Sequence, residues 1–140
     1  MKVIVVDAEK TERRTFAHGL GTYGFEVRDA ESPEQADGVM LEHGADIAVF
    51  SIADDPFESY RLADMLRTHN PEIFLIVAIG SGVSARDLMT QYAADGWLER
   101  PYRLESAVQT LGAVAGFQDY DNPESGLYQV PRSEPRRITG

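Results

Sequence analysis

The chain has 140 residues, 43% of them hydrophobic, no cysteine and a formal net charge of -10. That is one ordinary domain with material for a core, and it excludes disulfides, thiolate metal sites and a cysteine nucleophile. The acid excess sets direct binding of DNA or RNA at a disadvantage, because the phosphate backbone is repelled.

Short apolar runs alternate with longer segments of helical spacing. The first run, Val3 to Val6, ends in Asp7 and lacks the length and cleavage site of a secretory signal. Phe16 and Leu20 begin an amphipathic helix that should stop at Gly24, and Phe25–Val27 reads as a second strand. Ser32-Pro33-Glu34-Gln35 is a helix start: a capping serine, proline at the first helical position and glutamine three residues after the cap. Ala36, Val39 and Met40 form that helix's apolar stripe, with Gly44 as its stop.

The third run, Ile47–Phe50, precedes a helix carrying Leu62 and Leu66. The fourth, Ile73–Ile79, is continuously apolar, as a strand covered on both faces must be. It falls far short of the ~20 residues that cross a bilayer. A weaker cap at Ser84 opens a helix bearing Leu88 and Tyr92, which should stop at Gly96. The last strand is short, Trp97–Leu98, and the last helix carries Leu104, Ala107, Val108 and Leu111. Five strands alternating with five helices predict an α/β protein, with helices on both faces of a parallel sheet. The favoured form is a flavodoxin-like (βα)5 three-layer sandwich of strand order 2-1-3-4-5.

The domain should occupy residues 1–117. From Gln118 the character changes: Pro123, Pro131 and Pro135 interrupt any helix, so 118–140 reads as a Pro-rich tail or linker. Leu127, Tyr128 and Val130 form a small apolar cluster there. Leu127 and Tyr128 are the anchors if the tail docks on a partner or a second copy; a plain linker is the alternative.

Four blocks in register resemble the receiver domain of bacterial response regulators. They are Val3-Ile4-Val5-Val6-Asp7-Ala8-Glu9, the segment Asp46 to Ser51, the segment Ile73 to Gly80, and the segment Ala93 to Tyr102 with its Arg100-Pro101. The resemblance covers about residues 1–117 and implies a CheY-like domain of two-component signalling. Active members of that family carry an aspartate as phosphoryl acceptor, an acidic pair for Mg²⁺, a hydroxyl and a lysine. The matching positions here are Ser51, Asp7 with Ala8, Ile79 and Arg100. Serine forms no acyl phosphate. Ala8 removes a carboxylate from a site for a hard cation, Ile79 removes the hydroxyl, and arginine replaces a compact point charge with a planar fork. Only Asp7 stands.

The resemblance therefore implies an atypical, degenerate pseudo-receiver: no enzyme, no cofactor, no metal, a cytoplasmic location and no membrane insertion. Its function should lie in contact with a signalling or regulatory protein, or in self-association, through the last strand and helix. Trp97 matches the family's switch aromatic and serves equally well as a packing residue; Tyr102 is the companion candidate. Asp7, left without a cation, should find Arg100 as its partner.

Other constellations are weaker. Asp54 and Asp55 could assist a cation site or form a solvated loop. Gly80-Ser81-Gly82, with Ser51, could hold a small anion or nucleotide at the strand ends, the alternative function; a turn before the Ser84 cap is the plainer reading. His18, His43 and His69 lack metal-ligand spacing.

Overall fold

In a computed structural model, the described residues are 1–51, 56–80 and 82–116. The elements in chain order are β1 (Lys2–Val6), α1 (Lys10–Thr22), β2 (Glu26–Ala30), α2 (Pro33–Glu42), β3 (Ile47–Ser51), α3 (Pro56–His69), β4 (Phe74–Ile79), α4 (Ala85–Tyr92), β5 (Gly96–Glu99) and α5 (Leu104–Ala115). All strand pairs are parallel and the order is β2-β1-β3-β4-β5, as the alternation of periods predicts.

Successive side chains of a strand point to opposite faces, and the two cores follow from that rule. Ile4, Val6, Ala48, Phe50, Leu75, Val77 and Ile79 face one way, against Ala36, Met40, Leu62, Leu66, Met89 and Tyr92 of α2, α3 and α4. Val3, Val5, Ile47, Val49, Ile76, Ala78 and Leu98 face the other way, against Phe16 and Leu20 of α1 and Ala107, Val108, Leu111 and Val114 of α5. The central strands are apolar on both sides for this reason, and each fully buried large aliphatic contributes roughly 1.5–3 kcal/mol.

Both serine caps form. Ser32 Oγ accepts from the Gln35 amide at 3.2 Å, and Ser84 Oγ from the Asp87 amide at 3.3 Å. The Gln35 side chain reaches the amide of Glu31 rather than that of Ser32.

Gly24 and Gly44 take the positive φ expected of helix stops, +93° and +75°. Gly96 does not stop a helix. Ala93 holds the left-handed position after α4, at φ 52°, and Gly96 opens β5. A Cβ on Gly96 would lie 2.8 Å from Val114 Cγ2, so glycine is needed there for the close approach of β5 and α5.

β2 begins one residue later than its apolar run suggested and ends three later. Among the described residues it is an edge strand paired only with β1, and its Glu26, Arg28 and Asp29 hide it from an apolar-run criterion. No helix among the described residues is long and apolar enough to cross a membrane. The proposed boundary at 117/118 and the tail, with Leu127 and Tyr128, lie outside the described residues.

Candidate functional site

In a parallel sheet every strand delivers its C-terminal end to the same rim, and ligands of such folds gather there. β1 ends one residue before Asp7, β3 ends at Ser51, β4 at Ile79, and β5 one residue before Arg100. Pairing of Val6 with Phe50, Ser51 with Ala78 and Ile79 with Glu99 keeps these ends level.

Asp7 is buried, 3% exposed, and all its bonds are internal. Its Oδ1 accepts from the Glu9 amide at 2.9 Å and its Oδ2 from the Tyr102 hydroxyl at 2.9 Å. Arg100 Nη2 lies 3.3 Å from the same Oδ2. The guanidinium is shared: Nη2 donates to Glu12 Oε2 at 2.5 Å and Nη1 to Ser51 Oγ at 2.6 Å. One planar cation thus ties together β1, α1, β3 and the end of β5. A lysine has one ammonium point and could not hold Glu12 and Ser51 through separate nitrogens.

Burial lowers the affinity of Arg100 for its proton, but the bond to Glu12 and the charge of Asp7 outweigh it and hold the group above its ordinary value. The Tyr102 hydroxyl is also held above its ordinary value. Burial is the larger cause, followed by the negative charge of Asp7 and the hydrogen bond to it, partly offset by Arg100. The Tyr102 ring stacks on Phe16, centroids 4.1 Å apart and planes within 5°. Arg100 Cζ stands 5.6 Å from the Tyr102 centroid, within cation–π range.

Ala8 is exposed beside this cluster, and Ile79 is buried with its carbonyl accepting the Arg100 amide at 2.8 Å. Asp7, Ser51, Ile79 and Arg100 therefore converge. Trp97 borders this cluster and is 39% exposed. It borders a hollow of about 570 Å³ shared with Arg103, Ser106 and Thr110, and a smaller one of about 270 Å³ shared with Ile79, Glu99 and Arg100. Tyr102 is half-buried, its hydroxyl turned inward to Asp7. Asp54, Asp55 and Ser81 lie outside the described residues.

His69 Nε2 lies 2.7 Å from Asp37 Oδ1 between α3 and α2, and His43 Nε2 lies 3.4 Å from Glu26. His18 lines a hollow between α1 and the start of α5. Among the described residues no three His, Asp or Glu side chains are grouped to hold a metal.

Sequence reasoning missed Glu12, Arg13 and Asp29. Arg13 is buried, donates from Nε to Asp29 Oδ2 at 2.6 Å and from Nη1 to the Asp7 carbonyl at 2.8 Å. It sits three residues before Phe16 on the buried stripe of α1, so extending that stripe backward would have found it. Glu12 carries no such signal, because a first-turn acid is ordinarily explained by the helix dipole.

As a site for a divalent cation the set fits poorly. Such an ion needs several oxygens at about 2.0–2.6 Å, and the two carboxylates here already face a guanidinium.

No family model matches the chain. The sensor histidine kinase RcsC of Salmonella typhi is 24% identical over 116 residues, which is 82% of this chain and 12% of that protein. A protein named a probable transcriptional regulator, ycf27 of Porphyridium aerugineum, is 23% identical over 134 residues, 92% of this chain and 56% of that one. The chain thus spans only a part of the curated relatives it matches. The chemotaxis protein CheY4 of Vibrio cholerae superposes with a TM-score of 0.69 at 20% identity, over 79% of this chain and 94% of that one. The chain has the fold of a CheY-like response-regulator receiver domain.

Proposed function

We propose that this chain is a phosphorylation-independent pseudo-receiver: a non-enzymatic module of bacterial two-component signalling that works in the cytoplasm by binding another protein. The observation that carries the reading is the Arg100 guanidinium, bound to Ser51, Glu12 and Asp7 together. Phosphoryl transfer at this rim needs a nucleophile, a cation and donors aimed at developing charge. Here the acceptor position is a serine whose oxygen already accepts from Arg100, and a guanidinium cannot serve it as a general base. The names of RcsC and CheY4 place those proteins in sensory signalling, which supports the same setting for this chain.

The information would then lie in a surface. The last strand and helix are the favoured face, with Trp97 exposed beside the hollow it shares with Arg103, Ser106 and Thr110. Large aromatics at such positions often dominate binding energy. The rival reading, a small anion held at the strand ends, is less supported. Arg100 is the cation that would have to greet the anion, and Glu12 and Asp7 already hold it.

Incubation with acetyl phosphate and Mg²⁺, followed by intact-mass measurement, should give no adduct. Affinity capture with the native protein should yield a partner that Trp97→Ala loses while remaining folded. A labile phosphoryl adduct would overturn the reading.

A further inference from the structure

We propose that Arg100 is a built-in cation: its guanidinium takes the seat a divalent ion would need between Asp7 and Glu12, and vacating that seat turns the cluster into a cation site. Both oxygens of Asp7 are engaged, Oδ1 by the Glu9 amide and Oδ2 by Tyr102 and Arg100. Glu12 reaches the same nitrogen, Nη2, from the first turn of α1. Nη2 stands 3.3 Å from Asp7 Oδ2 and 2.5 Å from Glu12 Oε2, so an ion drawn to both carboxylates would have to crowd against it, and the two positive groups repel each other.

The positive charge here is covalently attached, and binding of this kind does not depend on ion concentration. One positive charge faces Asp7 and Glu12 at any Mg²⁺ level, whereas a bound ion would stabilise the fold only in proportion to its supply. Removing the guanidinium leaves Asp7 buried and Glu12 part-buried, both accessible through the space the side chain gave up. Two carboxylates and the Ser51 oxygen form an all-oxygen donor set, the chemistry hard cations take. Cation binding and phosphoryl adduct formation are read by different measurements, so either can fail without the other.

Mg²⁺ alone is titrated into the full chain and its variants, following melting temperature and the emission of Trp97. That residue is the only tryptophan, and it shares a hollow with Arg100. The native protein should show no saturable response. Arg100→Ala should melt roughly 5 °C lower without Mg²⁺ and recover progressively as Mg²⁺ is added, with a saturable change in emission. Arg100→Gln, which keeps a donor for Ser51, takes its place if the alanine variant does not fold. Adding Asp7→Asn to either variant should abolish the response. A saturable response in the native protein, indifference to Mg²⁺ in a folded Arg100 variant, or a response that survives Asp7→Asn would each overturn the proposal.

Discussion

Tyr102 donates its hydroxyl to Oδ2 of Asp7 at 2.9 Å, joining the start of α5 to the end of β1. Tyr102→Phe keeps the ring on Phe16 and removes only this bond, leaving Asp7 Oδ2 with Arg100 alone. The cost should be about 1–2 kcal/mol at neutral pH, seen as a lower urea midpoint at unchanged slope.

The same residue gives a pH signature. The folded state raises the Tyr102 hydroxyl above its ordinary value of 10.0, so above that pH the unfolded chain releases a proton that the folded one keeps. Fewer protons in the unfolded state mean that stability falls as pH rises. The contribution is complete below pH about 10 and is lost with further alkalinity. Tyr92, also raised by burial, remains in both proteins. Urea midpoints across this range should therefore fall more steeply for the native protein than for Tyr102→Phe; parallel curves would contradict the assignment.

Ser51→Asp should not restore phosphoryl acceptance. The introduced carboxylate would meet Arg100 Nη1, which now lies 2.6 Å from Ser51 Oγ, and would join Asp7 and Glu12 around one guanidinium. Ala8 and Ile79 stay as they are, and catalytic parts that act as a unit do not return singly. Intact mass after acetyl phosphate and Mg²⁺ should stay unchanged; an adduct in this single variant would show a pocket less altered than described.

Gly96→Ala should cost about 1–3 kcal/mol by overpacking. The new methyl would press on Val114 Cγ2 at 2.8 Å, with Thr110 Cγ2 at 3.5 Å. Combining it with Val114→Ala should destabilise less than the sum of the two singles, the mark of a shared contact. Additive losses in denaturant titrations would place the strain elsewhere.

Gly96 also marks a boundary of what composition and spacing disclose. Glycine after a helical stripe reads as a stop, because sequence shows its permissive backbone but not the neighbour that forbids a side chain. The strand order was legible because period-two and period-3.6 segments alternate so regularly. β2 was only half legible, since an edge strand need not be apolar on both faces. At the rim, Asp7, Ser51, Ile79 and Arg100 could be placed together by strand ends alone. Glu12 could not, because its contact with Arg100 spans 88 positions and depends on how α1 rides over the sheet.

That separation bears on how the chain completes itself during synthesis. The bonds of Arg100 to Glu12 and Ser51 close loops of 88 and 49 positions, and that of Tyr102 to Asp7 one of 95. Such contacts cannot form early, since the entropy of closing the loop is spent before the contact returns anything. A nascent chain that has made β1, β3 and β4 therefore still carries Asp7 and Glu12 without their counter-charge. The clasp makes arrival of the last strand a condition of finishing, and a fragment stopping before Arg100 would lack the group that settles its acidic rim.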